Sequence, residues 1–151
     1  MTVQPNTAQI SGVVALQGRS EYSGTTILVD ETPVAVTAGD GCFLIPNVAP
    51  GVHEVTASHP GFLSSAGSAL CQANQTVEMP ATTLLAGDAN NDNEINLFDL
   101  VIVAAAYRSC SDDPAFDDRA DLNGSGCVDV FDLVLVGGNY GQAGPTAWPE
   151  P

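Results

Sequence analysis

From Thr7 to Leu85 short apolar runs rich in Val, Ile and Thr alternate with turn residues. The runs are Ala8–Leu16, Thr25–Asp30, Pro33–Thr37, Gly41–Ile45, Val52–Ser58 and Gln75–Leu85. Between them stand Ala38-Gly-Asp-Gly41 and Pro46-Asn-Val-Ala-Pro-Gly51, which place turn formers where the chain must reverse. Strands recurring at about 8–12 residue intervals, with no helical period, predict a small antiparallel sandwich. After Ala86 the pattern changes. Two apolar runs, Leu97–Tyr107 and Val130–Tyr140, have helical length, and each follows a stretch crowded with Asp, Asn, Gly and Ser. Gly144–Pro151 is Pro-rich and cannot be helical. The organisation read from this is a first module at 1–85, a second at 86–142 and a tail at 143–151.

Charge narrows the function. The chain has no lysine, and three arginines face 18 acidic residues, for a net charge of −15. Nucleic acid and anionic membrane are poor partners for such a surface. From Ala86 onward there are 12 acidic residues and two arginines, a balance of −10, and this density calls for counter-cations.

Spacing shows where cations would go. Gly87–Val103 and Ala120–Val136 repeat 33 residues apart and agree in chemical type position by position. Each sets side-chain oxygens at loop positions 1, 3, 5, 9 and 12. These are Asp88, Asn90, Asp92, Asn96 and Asp99, then Asp121, Asn123, Ser125, Asp129 and Asp132. Glu94 and Cys127 stand at position 7, which supplies a backbone carbonyl. A hard cation such as calcium takes six to eight oxygens converging from a tight loop, so two calcium ions are expected. Ile95 and Val128, at position 8, point inward, where the two loops are expected to pair by a short strand contact. Asn93 takes the place usual for glycine, which asparagine can fill by tolerating a left-handed backbone. Ser125 puts a hydroxyl at position 5 where Asp or Asn is usual, and that site is expected to be the weaker. The β-branched helical runs are poor helix formers alone, so their helicity should depend on bound calcium and packing.

The duplicated loop–helix, with Asp at position 12, no preceding helix and the ending Gly138-Asn-Tyr-Gly141, resembles type I dockerins over residues 86–142. That resemblance implies an EF-hand-like, calcium-organised module that docks onto a cohesin-like receptor. In the family, positions 10 and 11 contact the partner; here these are Leu97-Phe98 and Val130-Phe131. Their near identity implies two binding orientations related by a half-turn. A residue of each pair is alternatively a staple against the neighbouring helix. The resemblance also leaves two readings for Trp148, a clasp near Leu84-Leu85 or a flexible linker end.

The run Gly39–Phe62 resembles the carboxypeptidase regulatory-like family, relatives of Cna-type B domains. This implies a seven-stranded transthyretin-like sandwich acting as spacer, stalk or folding partner, with no chemistry of its own. A Lys–Asn isopeptide bond is excluded by the absence of lysine.

Four cysteines divide two and two between the modules and fit one disulfide in each in an oxidising compartment, read as Cys42 with Cys71 and Cys110 with Cys127 out of three connectivities, with free buried thiols as the alternative. Their spacing contains no C-x-x-C zinc signature. His53 and His59, the only histidines, are read as surface residues with no nucleophile beside them, and no catalytic residue is assigned. No run approaches the roughly 18 apolar residues that would span a membrane, and no signal peptide is evident. The sequence therefore reads as part of a longer secreted or cell-surface chain. The expectation is a non-catalytic extracellular component that binds a cohesin-like protein. The alternative is a calcium-stabilised structural protein that assembles with other copies of itself into a filament or surface layer.

Overall fold

The computed structural model describes residues 6–149; positions 1–5 and 150–151, the outer ends of the first and third expected segments, lie outside it. Its strands are β1 (Ala8–Leu16), β2 (Thr26–Val29), β3 (Thr32–Val36), β4 (Cys42–Val48), β5 (Gly51–Ser58), β6 (Gly61–Phe62) and β7 (Ser65–Cys71). They continue as β8 (Thr76–Glu78), β9 (Thr82–Leu84), β10 (Ala86–Asp88) and β11 (Thr146–Ala147). Two helices, α1 (Leu97–Ala106) and α2 (Val130–Asn139), lie between β10 and β11. The molecule is thus mostly β, with a helical segment near its C-terminal end.

One sheet runs β4-β1-β8, with β9 also on β1; the other runs β11-β7-β5-β2-β3. Alternation along β1 buries Ala8, Ile10, Val14 and Leu16 against Val55 and Ala57 of β5 and Ala69 of β7, in one apolar cluster. The cluster runs on without a break into Ile95, Val103, Leu122, Val128 and Val136 of the helical segment. Two-sheet module and helical module therefore share a core.

Pairing is not antiparallel throughout. β8 and β9 each run parallel to β1, and β11 runs parallel to β7. The expected single strand from Gln75 to Leu85 is broken at Met79-Pro80-Ala81, where proline has no N–H to give to a ladder. Conversely β4 passes through Pro46-Asn47, where a turn was expected. Strand β4 is the edge of its sheet and its register with β1 shifts there, so the bulge accommodates Pro46.

The tail is no flexible linker end: it folds back, past Leu84-Leu85, as a strand of the second sheet. β11 extends the second sheet beyond β7, and Trp148 is buried, 3% exposed, in the two-sheet core. Its indole Nε1–H donates to the Pro80 carbonyl at 2.7 Å, and its ring meets Phe43 edge-on at 5.9 Å. Gly67 makes room for it, since a Cβ there would lie 2.7 Å from the Trp148 Cβ.

The cysteine expectation needs one correction. Cys110 and Cys127 are disulfide-bonded, whereas Cys42 and Cys71 are both free thiols. The pleat separates the latter two. Cys42 begins an edge strand on the outward side, while Cys71 faces inward at the end of β7 in the opposite sheet.

Candidate metal and docking site

Each helix is started by the loop before it. Asn96 caps α1 by accepting the Phe98 N–H at 3.1 Å, and Asp129 caps α2 by accepting the Phe131 N–H at 3.0 Å. Asp99 and Asp132 complete two capping boxes. Asp99 Oδ2 accepts the Asn96 N–H at 2.9 Å and Asp132 Oδ2 accepts the Asp129 N–H at 2.9 Å. The other oxygen of each reaches back across its loop, to the N–H of Asn90 and of Asn123, both at 3.1 Å. One buried carboxylate thus opens the helix and closes the loop.

At position 1, Asp88 accepts the N–H groups of Asp92 at 3.2 Å and Asn93 at 2.8 Å; Asp121 accepts those of Ser125 at 3.1 Å and Gly126 at 2.8 Å. Asp88, Asp92 and Asp99 offer oxygens that lie within 4.8 Å of one another. Asn90, the Glu94 carbonyl and Asn96 stand in the same loop. In the second loop the Ser125 hydroxyl donates to the Cys127 carbonyl at 3.0 Å, so it is turned inward on the loop itself.

Electrostatics fit a cation. Burial pushes the Asp88 carboxyl up from 3.8 to about 6, with the neighbouring Asp99 and Asp92 adding to the rise. Burial likewise raises Asp132, with Asp121 and Asp129 contributing repulsion. Among the described residues the ion pairs are His53–Asp30 and Arg119–Asp117, and neither reaches these carboxylates. All the facing donors are hard oxygens, the set calcium prefers.

The loops do not pair with each other, contrary to the expectation for Ile95 and Val128. Each pairs with the chain leaving the other loop's helix. Ile95 donates to the Gln142 carbonyl and accepts from the Gly141 N–H, both at 2.8 Å; Val128 donates to Ser109 at 2.7 Å and accepts from Arg108 at 2.8 Å. The cause lies at the helix ends, where Tyr107 and Tyr140 turn extended and carry the backbone alongside the opposite loop. Within this arrangement Cys110 faces Cys127, and the equivalent pair 33 residues away is Ala143 facing Glu94.

The first-turn pairs are outward. Leu97, Phe98, Val130 and Phe131 are 58%, 69%, 51% and 65% exposed, because the inward stripes are Asp99, Val103 and Ala106 on α1 and Asp132, Val136 and Asn139 on α2. Val101 and Val134, one turn on, extend the same apolar strip and were not singled out from the sequence.

His53 stands apart from both loops, whereas His59 lines a surface cleft with Asp88, Asn91 and Asn93. His53 Nδ1 lies 2.5 Å from Asp30 Oδ2 and Nε2 lies 2.6 Å from the Ala49 carbonyl. The Asp30 contact raises the His53 pKa above its usual 6.5. His59 lies beyond β5 and packs edge-on against Phe62. Both are partly buried.

Sequence reasoning missed the contacts that join the modules. Asn91 Oδ1 accepts the Gly61 N–H at 2.7 Å, and Asn93 Oδ1 accepts the Ser64 N–H at 2.9 Å. Arg19 Nε donates to the Leu122 carbonyl at 2.9 Å with its guanidinium over the Phe62 ring. Asn139 Nδ2 donates to Gln17 Oε1 at 2.6 Å and to the Ala86 carbonyl at 2.7 Å. No local pattern announces these, since they connect residues 29 or more positions apart.

Residues 86–138 match the dockerin type I domain family. No curated protein matches the chain. Among solved structures, the chain is similar to one in a C-terminal interface mutant of the type II cohesin–X-dockerin complex from Acetivibrio cellulolyticus, at 24% identity and a TM-score of 0.77. The N-terminal interface mutant of that complex gives 22% identity and a TM-score of 0.79. Each likeness covers 90% of this chain and 97% of the other, so the shared fold includes the two-sheet module as well as the helical one.

Proposed function

We propose that this chain is a non-catalytic extracellular binding component whose second module, residues 86–142, binds two calcium ions and docks onto a cohesin-like protein. The observation that carries the reading is the pairing, in each of two equivalent units, of an oxygen-lined loop with an exposed apolar dyad on the helix it caps. Asp88, Asn90, Asp92, the Glu94 carbonyl, Asn96 and Asp99 would hold one ion. Asp121, Asn123, Ser125, the Cys127 carbonyl, Asp129 and Asp132 would hold the other. Calcium would supply charge neutralisation to carboxylates buried without a cationic side chain, and so fix the helix starts that present Leu97-Phe98 and Val130-Phe131. The match of residues 86–138 to dockerins, a calcium-binding family, supports this, as does the likeness to a cohesin–dockerin complex.

The first module would act as a spacer or stabilising partner of the carboxypeptidase regulatory-like kind, which its strand spacing and the shared core support. Among the described residues no helix is long and apolar enough to cross a membrane. A second reading, self-assembly, draws on the free outer edge β3, where Val34 and Val36 are exposed.

The deciding experiment is size-exclusion with light scattering on the full chain, in millimolar calcium and in chelator, alone and with a purified cohesin. A one-to-one complex present only with calcium is the expected result. Binding equally strong in chelator, or none in calcium, would overturn the docking reading. Large calcium-dependent species without cohesin would favour the self-assembling one.

A further inference from the structure

The two loops share a backbone but differ at the two positions where that backbone is left-handed. Positions 4 and 6 have φ of 60° and 67° at Asn91 and Asn93, and of 72° and 90° at Gly124 and Gly126. Glycine takes this conformation freely, whereas any side chain adds a steric cost, smallest for asparagine. The first loop bears that cost twice, and both side chains leave the loop to hold the two-sheet module. Asn91 takes the Gly61 N–H. Asn93 takes the Ser64 N–H and donates from Nδ2 to Ser64 Oγ at 3.0 Å. In the second loop a Cβ at Gly126 would meet nothing within 4 Å.

Asn93 also seats the tail. Its carbonyl accepts the Gly144 N–H at 2.8 Å, and a Cβ at Gly144 would fall 2.2 Å from Asn93 Oδ1. Two residues later the Thr146 N–H donates to the Ser64 carbonyl at 2.8 Å and β11 begins. On its other side the Asn93 N–H donates to Asp88, the first ligand of the loop. The second loop is stapled at the corresponding place by Cys110–Cys127, while the first has the Glu94–Ala143 bridge there in place of a disulfide, and this leads into β11.

We propose that Asn91 and Asn93 are positioning residues that couple the first loop to the two-sheet module, so that a cation in this loop sets how firmly β11 and Trp148 are held. The inference rests on the reading of that loop as a calcium site. Linkage makes the effect reciprocal: whatever calcium adds to the docking of the tail, the docked tail adds to calcium affinity.

The test uses the full chain with the fluorescence of Trp148, the only tryptophan, followed through thermal unfolding in millimolar calcium and in chelator. N91G/N93G gives the first loop the residues the second already has and keeps its backbone accessible. Calcium should raise the Trp148 midpoint of the wild type, and in the variant that rise should shrink to less than roughly half. Calorimetry should still report two binding events in the variant, the first-loop affinity weaker by roughly 5- to 150-fold, the usual range of such coupling. G144A, which drives the tail off Asn93 from the opposite side, should shrink the rise too, and N93G should restore room for it. Equal destabilisation with and without calcium, or an unchanged rise in both variants, would overturn the coupling. A wild type that binds calcium but whose Trp148 midpoint ignores it would overturn the coupling alone. A wild type that takes up no calcium in calorimetry would overturn the site reading beneath it.

Discussion

Replacing Trp148 by Ala separates a tail that is a strand of the core from one that is a linker. The side chain is 3% exposed, its indole donates to Pro80, and its ring packs edge-on against Phe43. A buried tryptophan removes roughly 150–250 Å² from water, which at about 25 cal/mol per Å² is worth some 4–6 kcal/mol as an upper bound. The substitution also strands the Pro80 carbonyl and leaves a hole between β7 and Phe43. Truncations of buried tryptophan cost about 3–5 kcal/mol, and about 4 kcal/mol is the expected loss here. At this chain length a kilocalorie moves Tm by roughly 2–4 °C, so Tm should fall by about 8–16 °C. Urea unfolding followed by far-UV circular dichroism, in saturating calcium, measures the loss without needing the fluorophore. Trp148→Phe should recover part of it by refilling the space without the hydrogen bond. A loss under about 1 kcal/mol, the size expected for a surface position, would refute the placement of the tail in the core.

Further outcomes follow from the site and the fold around it. In calorimetry the wild type should show two calcium-binding events and Asp99→Ala with Asp132→Ala none, since each aspartate closes its loop and opens its helix. Calcium affinity should weaken as pH falls through about 6, where Asp88 takes a proton that competes with the ion. The raised pKa has the opposite sense for the calcium-free chain. Its contribution to stability is fully present below the ordinary 3.8 and is lost as pH rises through about 6, which melting in chelator across that window checks. Phe98→Ala or Phe131→Ala alone should weaken cohesin binding little if either dyad can lead, while the pair together should cost at least about 2 kcal/mol, roughly 30-fold, by surface plasmon resonance. Replacing Cys110 and Cys127 by serine removes a 17-residue closure and should cost about 3 kcal/mol in urea unfolding under oxidising conditions.

What could be read from the sequence was local. Positions 1, 3, 5, 9 and 12 of each loop fall within one short segment, so ligand spacing and helix start are written side by side, as at Asn96 and Asp99. The valine- and isoleucine-rich strands were legible for the same reason. Strand β7 was not, because five of the seven residues of Ser65–Cys71 are Ser, Ala or Gly, with little β propensity of their own. Its place is set by pairing with β5 and by the close passage of Trp148 over Gly67. The parallel partners β8, β9 and β11 depend on where distant segments land, and no periodicity encodes that. Asn93 was legible as a residue that tolerates a left-handed backbone, but its reach to Ser64, 29 positions upstream, was not. The loop pairing went wrong because the inward direction of Ile95 and Val128 does not say which extended segment lies alongside.

The return of the tail to the first module has a mechanical consequence. The helical module is an excursion that leaves the two-sheet module at β10 and comes back at β11, so both of its ends are moored to one body. Tension applied at residue 149 therefore meets β7 and the lodged indole before it meets either loop. A partner held on the Leu97-Phe98 and Val130-Phe131 surface would be tethered to residue 149 through the two-sheet module as well as through the 140–145 segment, until that strand peels away.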